Sequence, residues 1–125
     1  MQPRRVVALE GGEALVADYG WTPQRVYHLD HHGDVIPPWH TVSTLYKIKE
    51  LVEDGGAVCI IQSDGTITQT HLDHLDHMDW KLAGVGSYLG GGCLFAHEVL
   101  LLTDRDAGEA FTYNLNSRRF SFTIE

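Results

Sequence analysis

"WHTVSTLYKIKELVEDGG", residues 39–56, is the stretch on which the fold turns. It follows Pro37-Pro38, and it places Val42, Leu45, Ile48 and Val52 on one side of a helix with Leu51 beside them. Thr41 or Ser43 can cap the start, and Gly55-Gly56 can stop the end. Lys49 and Glu53 form an i,i+4 pair, although Glu53 and Asp54 oppose the dipole at the C-terminal end. The spacing predicts one main helix over about 41–54, packed by its apolar stripe.

Short β-type runs surround it. "RRVVALE" and "EALVADY" flank Gly11-Gly12, "RVYHLD" and "DVIP" flank "HHG", and "AVCIIQ" and "TITQTHL" flank "SDG". Each break carries glycine where a hairpin turn asks for positive φ. "EVLLLTD", "AFTYNL" and "RRFSFTI" follow, and Phe120, Phe122 and Ile124 alternate with Arg119, Ser121 and Thr123. The parts predict a single α+β domain over 1–125. Its sheet of hairpins is antiparallel and strongly twisted or partly closed, with the main helix and a shorter one over about 72–82.

That shorter helix is expected from "HLDHLDHMDW", residues 71–80. On a helix, His71, His74 and His77 form one row, Leu72, Leu75, Met78 and Leu82 a second, and the aspartates a third. The chemistry of imidazole and carboxylate points to zinc or another divalent metal held by Asp73, His74 and His77. His28, His31 and His32 in "YHLDHHGD" could add ligands if the two clusters meet. The plainer reading is a solvated shoulder of an amphipathic helix.

"THLDHLDH" resembles the metallo-β-lactamase signature, but Leu72 stands where its first histidine belongs. "LDHHGD" resembles the motif of DHH phosphoesterases, whose other aspartate motifs are missing. The chain is also too short for either family, and both are set aside.

The 125 residues carry 9 Lys plus Arg against 17 Asp plus Glu, a net charge of −8, which argues against a nucleic-acid partner. No apolar window has the length of a membrane span, and the N-terminal residues lack the apolar run of a signal peptide, so a cytoplasmic protein is expected. Cys59 and Cys93 form no zinc-ribbon spacing. Ser87 lies among glycines without a nucleophile-elbow pattern, and Gly84 to Gly92 end in no phosphate-loop lysine.

Trp21, Trp39 and Trp80 lie at element boundaries. Trp80 with Asp76, His77 and Tyr88 makes a candidate partner-binding patch, an aromatic anchor with an acidic rim. The expected function is a small acidic protein-interaction module of the inhibitor, immunity or accessory type, without its own catalysis. Two alternatives stand beside it: a divalent-metal-dependent hydrolase built on the cluster at 71–79, and a small-ligand domain closed by the Gly-rich segment 84–92. Sheet edges also invite association between copies.

Overall fold

The computed structural model describes residues 2–42, 45–82, 89–96, 99–104 and 108–124. They build twelve strands in three four-stranded antiparallel sheets. Sheet 1 runs β1 (Pro3–Ala8), β2 (Ala14–Asp18), β3 (Arg25–Leu29) and β4 (Val35–Thr41). Sheet 2 runs β5 (Ile48–Asp54), β6 (Ala57–Gln62), β7 (Ile67–His71) and β8 (Trp80–Leu82). Sheet 3 runs β9 (Leu89–Ala96), β10 (Val99–Asp104), β11 (Glu109–Asn114) and β12 (Arg119–Ile124). Each sheet is a meander in which neighbours in sequence are neighbours in space. The first strands lie together, β5 touching β1 on one side and β9 on the other, an arrangement that resembles consecutive blades of a β-propeller.

This corrects the α+β expectation. Among the described residues of 41–54 there is no helix: Thr41 ends β4, and Ile48–Asp54 is β5. The reason is visible in which face each residue serves. Ile48 and Leu51 pack toward sheet 1, whereas Val52 packs toward sheet 3. The pairing of β5 with β6 shifts register between Ile48 and Glu50, which turns two residues spaced by three onto one face. A bulged strand buried on both faces thus gives apolar residues at i, i+3 and i+4, as a helix would. Leu45, central to the expected stripe, is 71% exposed. The shorter helix over 72–82 is likewise absent. Leu72–His74 is a single 3₁₀ turn, and Trp80–Leu82 is the edge strand β8. Part of the glycine-rich segment is also strand, since Gly90–Gly92 belong to β9 and Gly91 and Gly92 pair with β10; residues 83–88 lie outside the described residues.

Turn chemistry sets the hairpins. Gly11, Gly33 and Gly65 adopt φ of 72°, 86° and 88°, a region closed to most side chains. Between the sheets lie two apolar layers. Leu15, Ala17, Val26 and Val42 of sheet 1 and its flank meet Ile48, Leu51, Val58, Ile60 and Leu75. Val52, Cys59, Ile61 and Ile67 of sheet 2 meet Leu100, Leu102, Phe111 and Tyr113 of sheet 3.

Polar cross-links fix the layers in register. The Ile48 amide donates to Gln24 Oε1 (2.9 Å), and the Tyr19 hydroxyl donates to the Ile48 carbonyl. On the other side, the buried Tyr113 hydroxyl donates to Gln69 Oε1 (2.8 Å), while Gln69 Nε2 donates to the Leu115 carbonyl (2.9 Å). Burial pushes the pKa of the Tyr113 hydroxyl up to about 12. Among the described residues no helix is long and apolar enough to cross a membrane.

A pair of truncations separates strand from helix in this region. Leu45→Ala should change stability by no more than about 0.5 kcal/mol, as an exposed residue does. Ile48→Ala should cost about 2–5 kcal/mol. Urea unfolding of both variants measures the difference; a helical stripe would make the two losses similar.

Candidate functional site

The histidine-rich segment sits where β7 leaves the sheet 1–sheet 2 layer. Leu75 is fully buried in that layer, so the chain must double back around it. Thr70 Oγ1 lies 3.1 Å from the His74 carbonyl and 2.6 Å from the His77 carbonyl. The His77 amide donates to the His74 carbonyl, and the Asp79 amide donates to the Gln69 carbonyl, each at 2.9 Å. One hydroxyl, one buried leucine and two backbone bonds therefore shape the loop, in place of a helix.

That shape sorts the acids differently from a helix. His74 Nε2 lies 2.9 and 3.0 Å from the two Asp79 oxygens, and His77 Nδ1 lies 3.8 Å from one of them. His74, His77 and Asp79 converge, with one donor atom of each within 4.8 Å of the others. Asp73, which a helix would set beside His77, faces away. Its amide donates to His71 Nδ1 (3.1 Å), its carboxylate lies 3.4 Å from that nitrogen, and its side chain is 86% exposed. The His71 ring stacks on His74 at 5.6 Å between centroids. Asp79 is the residue that sequence reasoning left out; a turn at 75–79 brings it back, and nothing in the triplet repeat signals that turn.

The second cluster stays apart: among the described residues, no other set of three such side chains converges as His74, His77 and Asp79 do. His28 Nε2 meets Glu13 Oε1 at 2.6 Å across the β2–β3 pair. His31 and His32 meet with tilted rings in the exposed β3–β4 turn, centroids 4.0 Å apart. Asp30 stabilises that turn by accepting the amides of Asp34 and His32 at 2.9 Å each. The first of these bonds does most to hold its carboxyl below the ordinary range.

Trp80 begins β8 and carries the Arg118 guanidinium over its ring, 4.5 Å from the centroid. It links sheet 2 to the β11–β12 turn and is only 36% exposed. Asp76 and His77 are exposed on the neighbouring loop. Tyr88, the fourth member of the expected patch, lies outside the described residues. Cys59 is a free, fully buried thiol that burial raises to about 12, a packing residue without nucleophilic character.

A larger aromatic surface lies on the outer face of sheet 1. Val16 and Tyr27 form a buried floor there, because β2 and β3 pair them directly. Trp39 stands edge-on to Tyr27 at 5.7 Å. Arg25 rests on Trp21, with its guanidinium carbon 3.8 Å from the ring centroid, and reaches Trp39 at 5.4 Å. Trp21 is 49% and Trp39 41% exposed, and Val6 at the edge is 65% exposed. No carboxylate among the described residues forms an ion pair with Arg25. The tryptophans four residues before and fourteen residues after Arg25 were visible in sequence, but only the sheet register brings them together.

No protein-family model matches the chain, and no curated protein matches it in sequence.

Behind the loop lies a buried histidine whose titration is readable. His40 is buried on the face of β4 toward sheet 2, and its Nδ1–H donates to the Leu75 carbonyl at 2.8 Å. Burial lowers its pKa from the ordinary 6.5, against a smaller raising effect of that bond. The unfolded chain therefore binds a proton at pH values where the fold still excludes it. This contribution is complete above the ordinary value and is lost as pH falls through the lowered one. Urea midpoints of the wild type should drop as pH falls below the ordinary 6.5. His40→Asn should be less stable at neutral pH and show a flatter profile; an equal slope in both would remove His40 from the account.

Proposed function

We propose that the protein is a non-catalytic interaction module that binds an acidic segment of another protein through Trp21, Arg25 and Trp39. The observation that carries the reading is the Arg25 guanidinium held between two half-exposed indoles on the outer face of sheet 1, hydrogen-bonded to the Tyr27 hydroxyl (3.4 Å) and without an ion pair among the described residues. Tryptophan, tyrosine and arginine are the residue types that dominate binding energy when they cluster in a surface that can be desolvated. Stacking presets the arginine side chain, so less conformational freedom is lost when a partner carboxylate arrives. The partner's chemistry follows: a carboxylate for Arg25, beside an apolar group that covers Trp39 and Val6. The chain's net charge of −8 favours a partner basic elsewhere, with the acidic segment confined to this contact.

The reading is tested by selecting a displayed random-peptide library on the untagged protein. Selected peptides should be enriched in Asp or Glu next to aromatic or aliphatic residues. Trp39→Ala and Arg25→Ala should each weaken binding of the best peptide by about 2 kcal/mol, roughly 30-fold, with the fold intact by circular dichroism. Peptides without acidic enrichment, or peptides whose affinity ignores both substitutions, would overturn it.

A further inference from the structure

We infer a divalent transition-metal site, zinc in the first instance, formed by His74 Nε2, His77 Nδ1 and an Asp79 carboxylate oxygen. It is separate from the aromatic face of sheet 1 and does not depend on it.

The donor set is the first argument. Two imidazole nitrogens and one carboxylate are ligands that zinc shares with cobalt, nickel and copper, whereas magnesium and calcium prefer oxygen alone. Geometry is the second. The three donors already lie within 4.8 Å of one another, and His74 is at hydrogen-bond distance from both Asp79 oxygens. Tetrahedral bonds of about 2.0–2.2 Å put ligand atoms roughly 3.3 Å apart. His77 has still to close on the other two: its Nδ1 lies 3.8 Å from Asp79, and its ring centroid 5.8 Å from that of His74. The His77 side chain is 76% exposed, and its ring meets the proposed co-ligand His74 edge-on, so a small ring movement disturbs no core packing.

The backbone beneath is built to hold still, which is the third argument. The Thr70 hydroxyl lies against the carbonyls of both ligating histidines, nearer that of His77 (2.6 Å), His40 donates to the carbonyl between them at Leu75, and the Asp79 amide is tied to β7. His71 supports the His74 ring by stacking, and its own ring is pressed onto Gly56. A side chain at Gly56 would meet the His71 ring at 2.8 Å. In this arrangement the ion takes the place of the direct contact between His74 Nε2 and the Asp79 carboxylate. Three protein ligands leave one tetrahedral position to water or to a donor group from outside, the pattern of an open zinc site.

Isothermal titration of the untagged protein with zinc chloride tests this, with magnesium chloride as the comparison. The expected result is one zinc ion per chain, no heat with magnesium, and a higher melting temperature in zinc. Asp79→Asn and His77→Ala should each weaken zinc binding at least tenfold. Asp73→Asn, outside the three, should leave it unchanged. Cobalt substitution should give visible d–d bands in the wild type that Asp79→Asn diminishes, a readout independent of folding heat. Each variant's circular dichroism separates loss of ligand from loss of fold. Absence of zinc binding, or binding that Asp73→Asn weakens as much as Asp79→Asn, would overturn the assignment.

Discussion

Sheet 2 has no wet face. Cys59 and Ile61 point toward sheet 3 while Val58 and Ile60 point toward sheet 1, and all four are buried. A sheet with two apolar faces cannot rest against one layer; it needs a cover on each side. Sheets 1 and 3 supply the covers, and the polar cross-links at Gln24, Tyr19 and Gln69 fix where each cover sits. The burial of β6 is therefore the constraint from which the rest of the arrangement follows.

Both candidate sites are by-products of that layering. Packing sheet 1 inward with Leu15, Ala17 and Val26 turns the alternate residues Val16, Arg25 and Tyr27 outward, and Trp39 joins Tyr27 there. The aromatic surface is thus the other side of the same strands that build the core. At the layer's rim, Leu75 fills the last apolar position between sheets 1 and 2. The histidines on either side of it are held at the surface by Thr70 because their neighbour is held inside. Loop residues anchored by a buried side chain and a rigid sheet are good places for ligand chemistry, since little order has to be created on binding.

How much of this could be read in the chain differs from element to element. The hairpins around Gly11-Gly12, Gly33 and Asp64-Gly65 were legible because glycine and alternation act locally. β5 was not legible as a strand. Its apolar residues serve two opposite faces across a register shift, and the resulting spacing is shared with an amphipathic helix. β9 was hidden by Gly90–Gly92, which read as part of a segment closing a ligand site although the strand belongs to the third meander. At the histidine segment the ligand types were legible, but the partner acid was not. A helix pairs His77 with Asp73, whereas the turn around Leu75 brings Asp79 to His74. The aromatic face needed cross-strand register, a long-range property that neighbouring residues do not encode.

Amide hydrogen exchange tests the central claim most directly, because protection follows the strands that open last. If sheet 2 is the doubly covered layer, the slowest amides will be those of β6 and the facing residues of β5 and β7. Residues 42 and 45–47 will exchange faster than 50–53. Slow exchange that runs unbroken through residues 42–54, or protection centred on sheet 1 or sheet 3 with β6 exchanging early, would contradict the account.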